Sequence, residues 1–567
     1  MFIDARDLPN GSIVTAEICV VGSGPAGITV ASEMARAGHD VVILEGGGKR
    51  ADRSAQELYR GEVLDEVRHG ALDKYRQRRF GGTSTVWGGR CAPFDPIDFE
   101  QRDYVPDSGW PIGRADLDRY YLRAHEYCHL GAYSYRAAES LPEGPGEMVP
   151  GFTSEDVRTD FIWRFSLPTD FGKEFAEPLK QSGRVNVYLH ANCLKLVTAE
   201  NGAAIQHVEM ASSPEKRFRV RARYYVLATG GLEAARLLLV SDDVHSTGLG
   251  NSQDLVGRYY ISHMTGDLGE VRFTPNGGPL VWEYERTTDG VYCRRAFSIA
   301  PERQRAEGLQ NFRAILSHPP IADPSHQNGI LSSMYLIKRY LAHRIPPEYS
   351  KALAGTAPLL HVSAHARNVA RDLGKLAHFS EYWLRRRIIP KRKLPSVSFE
   401  SQSGVYTLHF DAEQAPRFDS RVLLSGSRDE FGMRRLKVDW RFGSADIDSV
   451  LRNCALIGEA LRESGAGKLL FDPAHMSDEI AARCGVGSHH IGTTRMAASP
   501  QKGVVDENCR VHGVSNLFIA SSSVFPTSSF ANPTLTIVAM AARLGAHLSG
   551  QLARQAQKED LAYAHVG

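Results

Sequence analysis

From Glu17 to Gly47 the chain reads EICVVGSGPAGITVASEMARAGHDVVILEGG. An apolar, β-branched run meets a glycine turn, an alanine-rich stretch of helical character follows to Gly38, and a second apolar run closes the segment. Short apolar runs flanking one helix predict a βαβ unit with parallel strands. Strand-like segments recur near 185–198 and 217–229, the last passing through YYVLATGGLEAARLLL into another helical pattern. Between about 260 and 480 the pattern turns to alternation, as in VYTLHF from Val405 and RRLKVDW from Arg434, which predicts strands with one face buried. Glycine turns and short strands return in the last hundred residues, and a helix is expected from about Pro533 to Leu552.

The elements together predict a mixed α/β protein. A discontinuous Rossmann-type dinucleotide-binding domain is expected at 12–94, 182–260 and 485–555, and a sheet-based substrate-binding domain at 95–181 and 261–484. A helical, basic insertion is expected at about 338–395. A chain of 567 residues also exceeds what one hydrophobic core usually supports, which agrees with two domains.

Charge and cysteine usage narrow the partners. Lys and Arg number 67 against 65 Asp and Glu, so nucleic acid is not an expected partner. The eight cysteines contain no C-x-x-C pair, which fits a reducing compartment and argues against a zinc site. No signal-peptide pattern opens the chain and no run of eighteen apolar residues occurs, so a cytoplasmic protein without an integral membrane segment is expected. Six Lys or Arg fall between Arg385 and Lys393; these read as a solvated surface, or else as a lid or a docking face for an electron acceptor or an anionic surface.

Gly22, Gly24 and Gly27 form G-x-G-x-x-G between a strand and a helix, the context this fingerprint requires. Gly22 permits the tight turn, Gly24 lets the backbone approach a pyrophosphate, and Gly27 lets helix and strand pack closely. The helix N-terminus offers free N–H groups to phosphate. Glu45 ends the second strand, placed to accept hydrogen bonds from ribose hydroxyls. No second such fingerprint is complete, because His490 occupies the last glycine position of the one begun by Gly485 and Gly487. One dinucleotide points to FAD acting directly on a substrate.

The stretch SHHIGTTRMAASPQKGVVDENCRVHGVSNLFIASSSVFPTSSFANPTLTIVAMAARLG resembles the flavin-proximal signature of glucose-methanol-choline (GMC) oxidoreductases. Its form around Asn532 is closer to the pyranose-oxidase-like and bacterial sugar oxidase and dehydrogenase branch. The resemblance implies FAD-dependent oxidation of an alcohol, with His489 taking the hydroxyl proton and Asn532 holding the alcohol oxygen. His490, its neighbour, is expected to be structural. The loop GGTSTVWGGRC resembles the family segment beside the flavin, where the pyranose-oxidase branch carries a covalently attached histidine; Val86 stands at that place, so FAD is expected to be held non-covalently.

The cofactor contacts so implied are Gly22, Gly24, Pro25, Ala26, Gly27, Glu45, Gly46, Gly82, Thr83, Thr85, Val86, Trp87, Gly88, Cys193, Ala228, Ser521, Ser522, Asn532, Pro533 and Thr534. Ser521 stands where many members have an aspartate, and NSQDLVGRYYISH, ending at His263, resembles the segment following the strand-turn-helix at Val226. The branch implies a sugar or glycoside oxidised at a C2 or C3 ring hydroxyl, with a polyol or natural-product alcohol as the alternative. Electrons are expected to pass to O2 or to a quinone- or dye-like acceptor. Trp282, Tyr284 and Trp383 are candidates for stacking on a sugar ring. The rival from another class, a non-catalytic FAD-binding protein, has no use for a proton acceptor at His489.

Overall fold

The computed structural model describes residues 1–142, 146–274, 278–319, 321–341, 359–396, 398–399, 401, 404–483 and 488–564. The middle of the basic insertion and the Gly485 to Gly487 turn lie outside the described residues.

In the first sheet, the strand Ile13–Val21 lies between two parallel neighbours, Val41–Leu44 on one side and Arg217–Leu227 on the other. All of Val41–Leu44 and the last four residues of Ile13–Val21 are buried, as a parallel sheet covered on both faces requires. Val185–Leu189 and Phe2–Asp4 extend the sheet in parallel beyond Val41–Leu44. Beyond Arg217–Leu227 come Ile205–Ala211 and Asn192–Thr198, both antiparallel. From far along the chain, Leu517–Ile519 joins the C-terminal end of Arg217–Leu227 in parallel. The helix Pro25–Arg36 and the final helix cover this sheet with one core that includes Ile28, Met34, Val538, Leu544 and Leu548.

The second sheet is antiparallel, in the order Gly467–Leu470, Met264–Phe273, Val405–Ala412, Phe312–Ser317, Tyr292–Ile299, Val157–Phe165 and Arg90–Cys91. The helix Ser444–Glu463 packs against it through Ile447, Val450, Cys454, Ile457 and Leu461. A small third sheet pairs Arg421–Arg428 with Arg434–Asp439, and Glu62–Val63 adds to it in parallel.

Several elements depart from the divisions read in the sequence. Arg90–Cys91 pairs with Val157–Phe165 at the edge of the second sheet, where it covers ladder groups that would otherwise be unpaired. The helix Asp118–Cys128 leans on the dinucleotide lobe, its Tyr121 hydroxyl 2.9 Å from Thr536 Oγ1 and its Tyr127 hydroxyl donating to Glu33 at 2.6 Å. The last helix runs Thr534–Ala564, longer than its apolar pattern indicates. Among the described residues no helix is long and apolar enough to cross a membrane, and seven cysteines are free and buried. Within the basic segment, Arg392 is tied down: its guanidinium donates to the carbonyls of Phe165 at 3.2 Å and His129 at 3.1 Å.

A buried ion pair joins the second sheet to the loops around the site. Arg102 and Glu413 are fully buried and meet in a two-pronged contact of 2.8 and 2.5 Å. Nearby, Asp98 accepts from Ser529 Oγ at 2.6 Å, holding the loop that leads to Asn532. Removing one partner of such a pair strands the other charge, so Glu413→Gln is expected to cost about 3–5 kcal/mol, measured by urea unfolding; unchanged stability would show that Arg102 is not held by charge.

Candidate active site

The sharp turn after Ile13–Val21 is shaped by contacts no side chain could share. Gly22 has φ +102°, and a Cβ on Gly27 would lie 2.0 Å from the Gly22 carbonyl oxygen. At Gly24, by contrast, a Cβ would meet nothing within 4 Å, because the residue faces an open cleft. The cleft encloses about 1390 Å³, counting the open solvent at its mouth. It runs from the N-terminus of the helix Pro25–Arg36 to His489, and its walls come from the first sheet and the 520–537 segment.

Glu45 is buried at the far side of the turn. One carboxylate oxygen accepts from Ser23 Oγ at 2.6 Å and Ser23 N at 3.2 Å, the other from Gly47 N at 2.8 Å. A carboxylate offers about four lone-pair sites, so acceptor capacity remains. Beside it, Arg76 donates to Glu233 at 2.9 Å, Arg236 to Glu233 at 3.2 Å and Arg236 to Asp429 at 2.8 Å. Burial pushes the Glu233 carboxyl up, but Arg236, Arg76 and Arg78 outweigh it and hold the group at about 2.

Three polar atoms on the walls have no hydrogen-bond partner among the described residues: Arg78 Nε, Thr229 Oγ1 and His490 Nε2. Buried polar groups are rarely left unpaired. A cation, a hydroxyl and an imidazole nitrogen facing one cleft, with an anion-binding helix terminus at its end, fit a ligand that carries phosphate and several donors and acceptors. A flavin dinucleotide meets that description.

His489 and His490 point in opposite directions, as neighbours in extended chain do. His489 Nδ1 lies 2.8 Å from His263 Nδ1, and its Nε2 lies 3.3 Å from Asn532 Nδ2. Asn532 Oδ1 accepts from Arg90 Nε at 3.0 Å, and Arg90 is held by Asp411 at 2.6 Å. Burial, reinforced by His263 and Arg90, holds the His489 imidazole well below its ordinary value. His490 instead reaches Tyr260 at 2.7 Å, and Tyr260 reaches His69 at 2.6 Å. The His490 ring is thus packed into a polar chain, as expected of a structural residue, yet the residue borders the cleft and its Nε2 has no partner among the described residues.

Of the residues read from the sequence, Gly22, Gly24, Pro25, Ala26, Glu45, Gly46, Gly82, Thr83, Trp87, Cys193, Ala228, His489, Ser521, Ser522, Pro533 and Thr534 line the cleft. Gly27 lies behind the turn, and Thr85, Val86, Gly88 and Asn532 are not on the cleft wall. Val86 is 39% exposed at the end of the short Gly82–Thr85 helix. The Ser521 hydroxyl is used within its own turn, accepting from Ser523 N at 3.0 Å. The proposed sugar platforms pack against other rings: Tyr284 meets Phe165 edge-on at 5.1 Å and Trp383 stacks on Phe379 at 6.0 Å, while Trp282 packs against the second core. Sequence reasoning missed Arg76, Arg78, Thr229, Glu233 and Arg236; the run YRQRRFGGT, arginines leading into a glycine loop, was the available signal for the first two.

Two stretches of the sequence match known families. Residues 416–541 match the GMC oxidoreductase family model, and residues 16–256 match that of the pyridine nucleotide-disulphide oxidoreductases. The 6'''-hydroxyparomomycin C oxidase of Streptomyces lividus is 25% identical, with 95% of this chain and 92% of that protein covered. The paromamine 6'-oxidase of Streptomyces fradiae is 22% identical, with 94% and 92% covered. Among solved structures, the formate oxidase of Aspergillus oryzae RIB40 shares the fold, with a TM-score of 0.53 at 15% identity and 96% and 99% of the two chains covered. Fold and site define an FAD-dependent oxidoreductase. Its C-terminal part, residues 416–541, carries a GMC oxidoreductase domain, and relatives matched over nearly the whole chain include oxidases.

Because Gly24 borders open space, Gly24→Leu is expected to leave the fold intact and fill the cradle, so that the purified variant is colourless while the wild type is yellow. An equally yellow variant would mean that the cofactor does not approach this turn.

Proposed function

We propose that this protein oxidises an alcohol group of a sugar, glycoside or aminoglycoside, with His489 as the acceptor of the hydroxyl proton. The observation that carries this reading is the pairing of His489, at the end of the dinucleotide cleft, with Asn532 behind it. An imidazole held neutral by burial is ready to accept a proton, and the adjacent amide is placed to donate to the alcohol oxygen. FAD, when bound, supplies the two-electron acceptor for the hydride on the same carbon. The phosphates belong at the Gly22 to Ala26 turn with Arg78, the ribose at Glu45, and the remaining polar groups of the cofactor beside Thr229 and His490. Val86 offers no attachment point, so FAD is released on acid precipitation.

Full-length likeness to two oxidases of aminoglycosides supports a ring-bearing, polyhydroxylated substrate. A C2 or C3 ring hydroxyl, oxidised to a ketone, is the position proposed. The relative named paromamine 6'-oxidase makes the 6' carbon the second position to test. O2 is the proposed acceptor, with a quinone- or dye-like compound as the alternative.

The test is turnover of a panel of sugars, glycosides, aminoglycosides and simple polyols, followed by peroxide release and dye reduction, with product structure deciding the carbon attacked. His489→Gln is expected to retain FAD and lose roughly 10²–10⁴ in kcat. Protonation removes the base, so wild-type kcat should stay level as pH falls through the ordinary histidine value of 6.5 and drop only below it. Undiminished turnover in His489→Gln would defeat the assignment.

A further inference from the structure

What one nitrogen of a buried imidazole touches decides what the other can do. His263, 1% exposed, ends the segment NSQDLVGRYYISH and has no part in the reading above. Its Nε2 lies 3.0 Å from the carbonyl oxygen of Ser528. A carbonyl can only accept, so the His263 proton is on Nε2 and Nδ1 presents a bare lone pair. That lone pair faces His489 Nδ1 at 2.8 Å. His489 must therefore donate there, which leaves its own Nε2 unprotonated.

The opposite side of His489 gives the same answer independently. Arg90 has donors only, so the Asn532 atom 3.0 Å from its Nε is the amide oxygen, and the amide nitrogen is the atom turned toward His489 Nε2. An amide nitrogen only donates, so Nε2 must accept. One chain of hydrogen bonds starts at a backbone carbonyl and the other at a guanidinium anchored by Asp411, and they meet at one tautomer.

We infer that His263 is a positioning residue: it holds His489 in the tautomer with the proton on Nδ1 and the lone pair on Nε2, the form able to take a substrate's hydroxyl proton. A free histidine side chain favours the proton on Nε2, which would turn a donor toward the hydroxyl instead. The inference rests on His489 being the base. His263 stays neutral across the working range, since burial and Arg90 lower it to about 4 against the opposing pull of Asp411, Ser528 and Glu413. Around His489 the facing groups are His263 and Arg90, both of which disfavour a charged ring.

The direct test is nitrogen-15 spectroscopy of histidine-labelled holoprotein near neutral pH, with signals assigned by their loss in His489→Gln and His263→Asn. The expected result is His489 protonated on Nδ1 alone and His263 on Nε2 alone, with the Nε2-protonated form of His489 gaining population in His263→Leu, where only Asn532 still opposes it. A wild-type His489 carrying its proton on Nε2, or a tautomer indifferent to His263→Leu, overturns the inference.

Kinetics with the panel alcohol turned over fastest give a second readout. His263→Leu should lower kcat by on the order of 10- to 100-fold with KM little changed, as loss of an orienting partner typically does. His263→Asn, whose amide oxygen can stand where Nδ1 does, should keep most of the rate. His263→Asp should move the acid limb of the kcat profile to higher pH, because a carboxylate partner favours the protonated ring. Equal losses in the Leu and Asn variants with an unshifted profile would assign His263 to packing and contradict the inference. Full activity in His489→Gln would instead defeat the base itself.

Discussion

The site depends on one topological constraint: the strand Ile13–Val21 has parallel neighbours on both sides, and it and Arg217–Leu227 each run at the carboxyl end into a helix, Pro25–Arg36 and Gly230–Val240. Between the connections a crevice opens at the carboxyl ends of the strands, where a ligand can meet backbone N–H groups and the end of a helix. The close approach of Gly27 to the Gly22 carbonyl keeps the turn tight enough for the helix to begin there. Leu517–Ile519, pairing in parallel with the end of Arg217–Leu227, then delivers the C-terminal segment to the same edge. Residues more than five hundred positions from the chain start thus share a wall with the glycine turn.

The second sheet completes the site through polar contacts, among them the ion pair of Arg90 with Asp411. Arg90 and Asp411 come from its strands and His263 immediately precedes another; His263 meets Nδ1 of His489, and Arg90 holds the oxygen of Asn532, whose nitrogen meets Nε2. The Arg102–Glu413 pair and the Asp98–Ser529 contact fix the loop behind Asn532. Every member of this network restricts the rotamer of the next. A base with a defined lone pair can be built in this way from residues widely separated in sequence.

Legibility followed the range of the interactions. The βαβ unit, its glycine turn and Glu45 rest on local spacing, so they were plain in the chain, as was the likeness around His489 and Asn532. Arg76, Glu233, Arg236 and Asp429 form a network only when distant segments meet, and nothing in their local pattern announces it. His263 carried no signal beyond the end of a recognisable stretch, since its role depends on Ser528 and His489. The short pairing of Arg90–Cys91 with the second sheet was hidden for a different reason: two residues are too few to show a period. Trp282, Tyr284 and Trp383 were read for their ring chemistry, but in the folded chain their rings pack against other parts of the protein.

The most direct measurement is an anaerobic titration of the purified yellow protein, following its visible absorption as single alcohols are added. The account predicts that at least one sugar, glycoside or aminoglycoside bleaches the flavin stoichiometrically and that air restores the colour. A protein that binds FAD but is bleached by none of these, and only by a reduced nicotinamide, would contradict it.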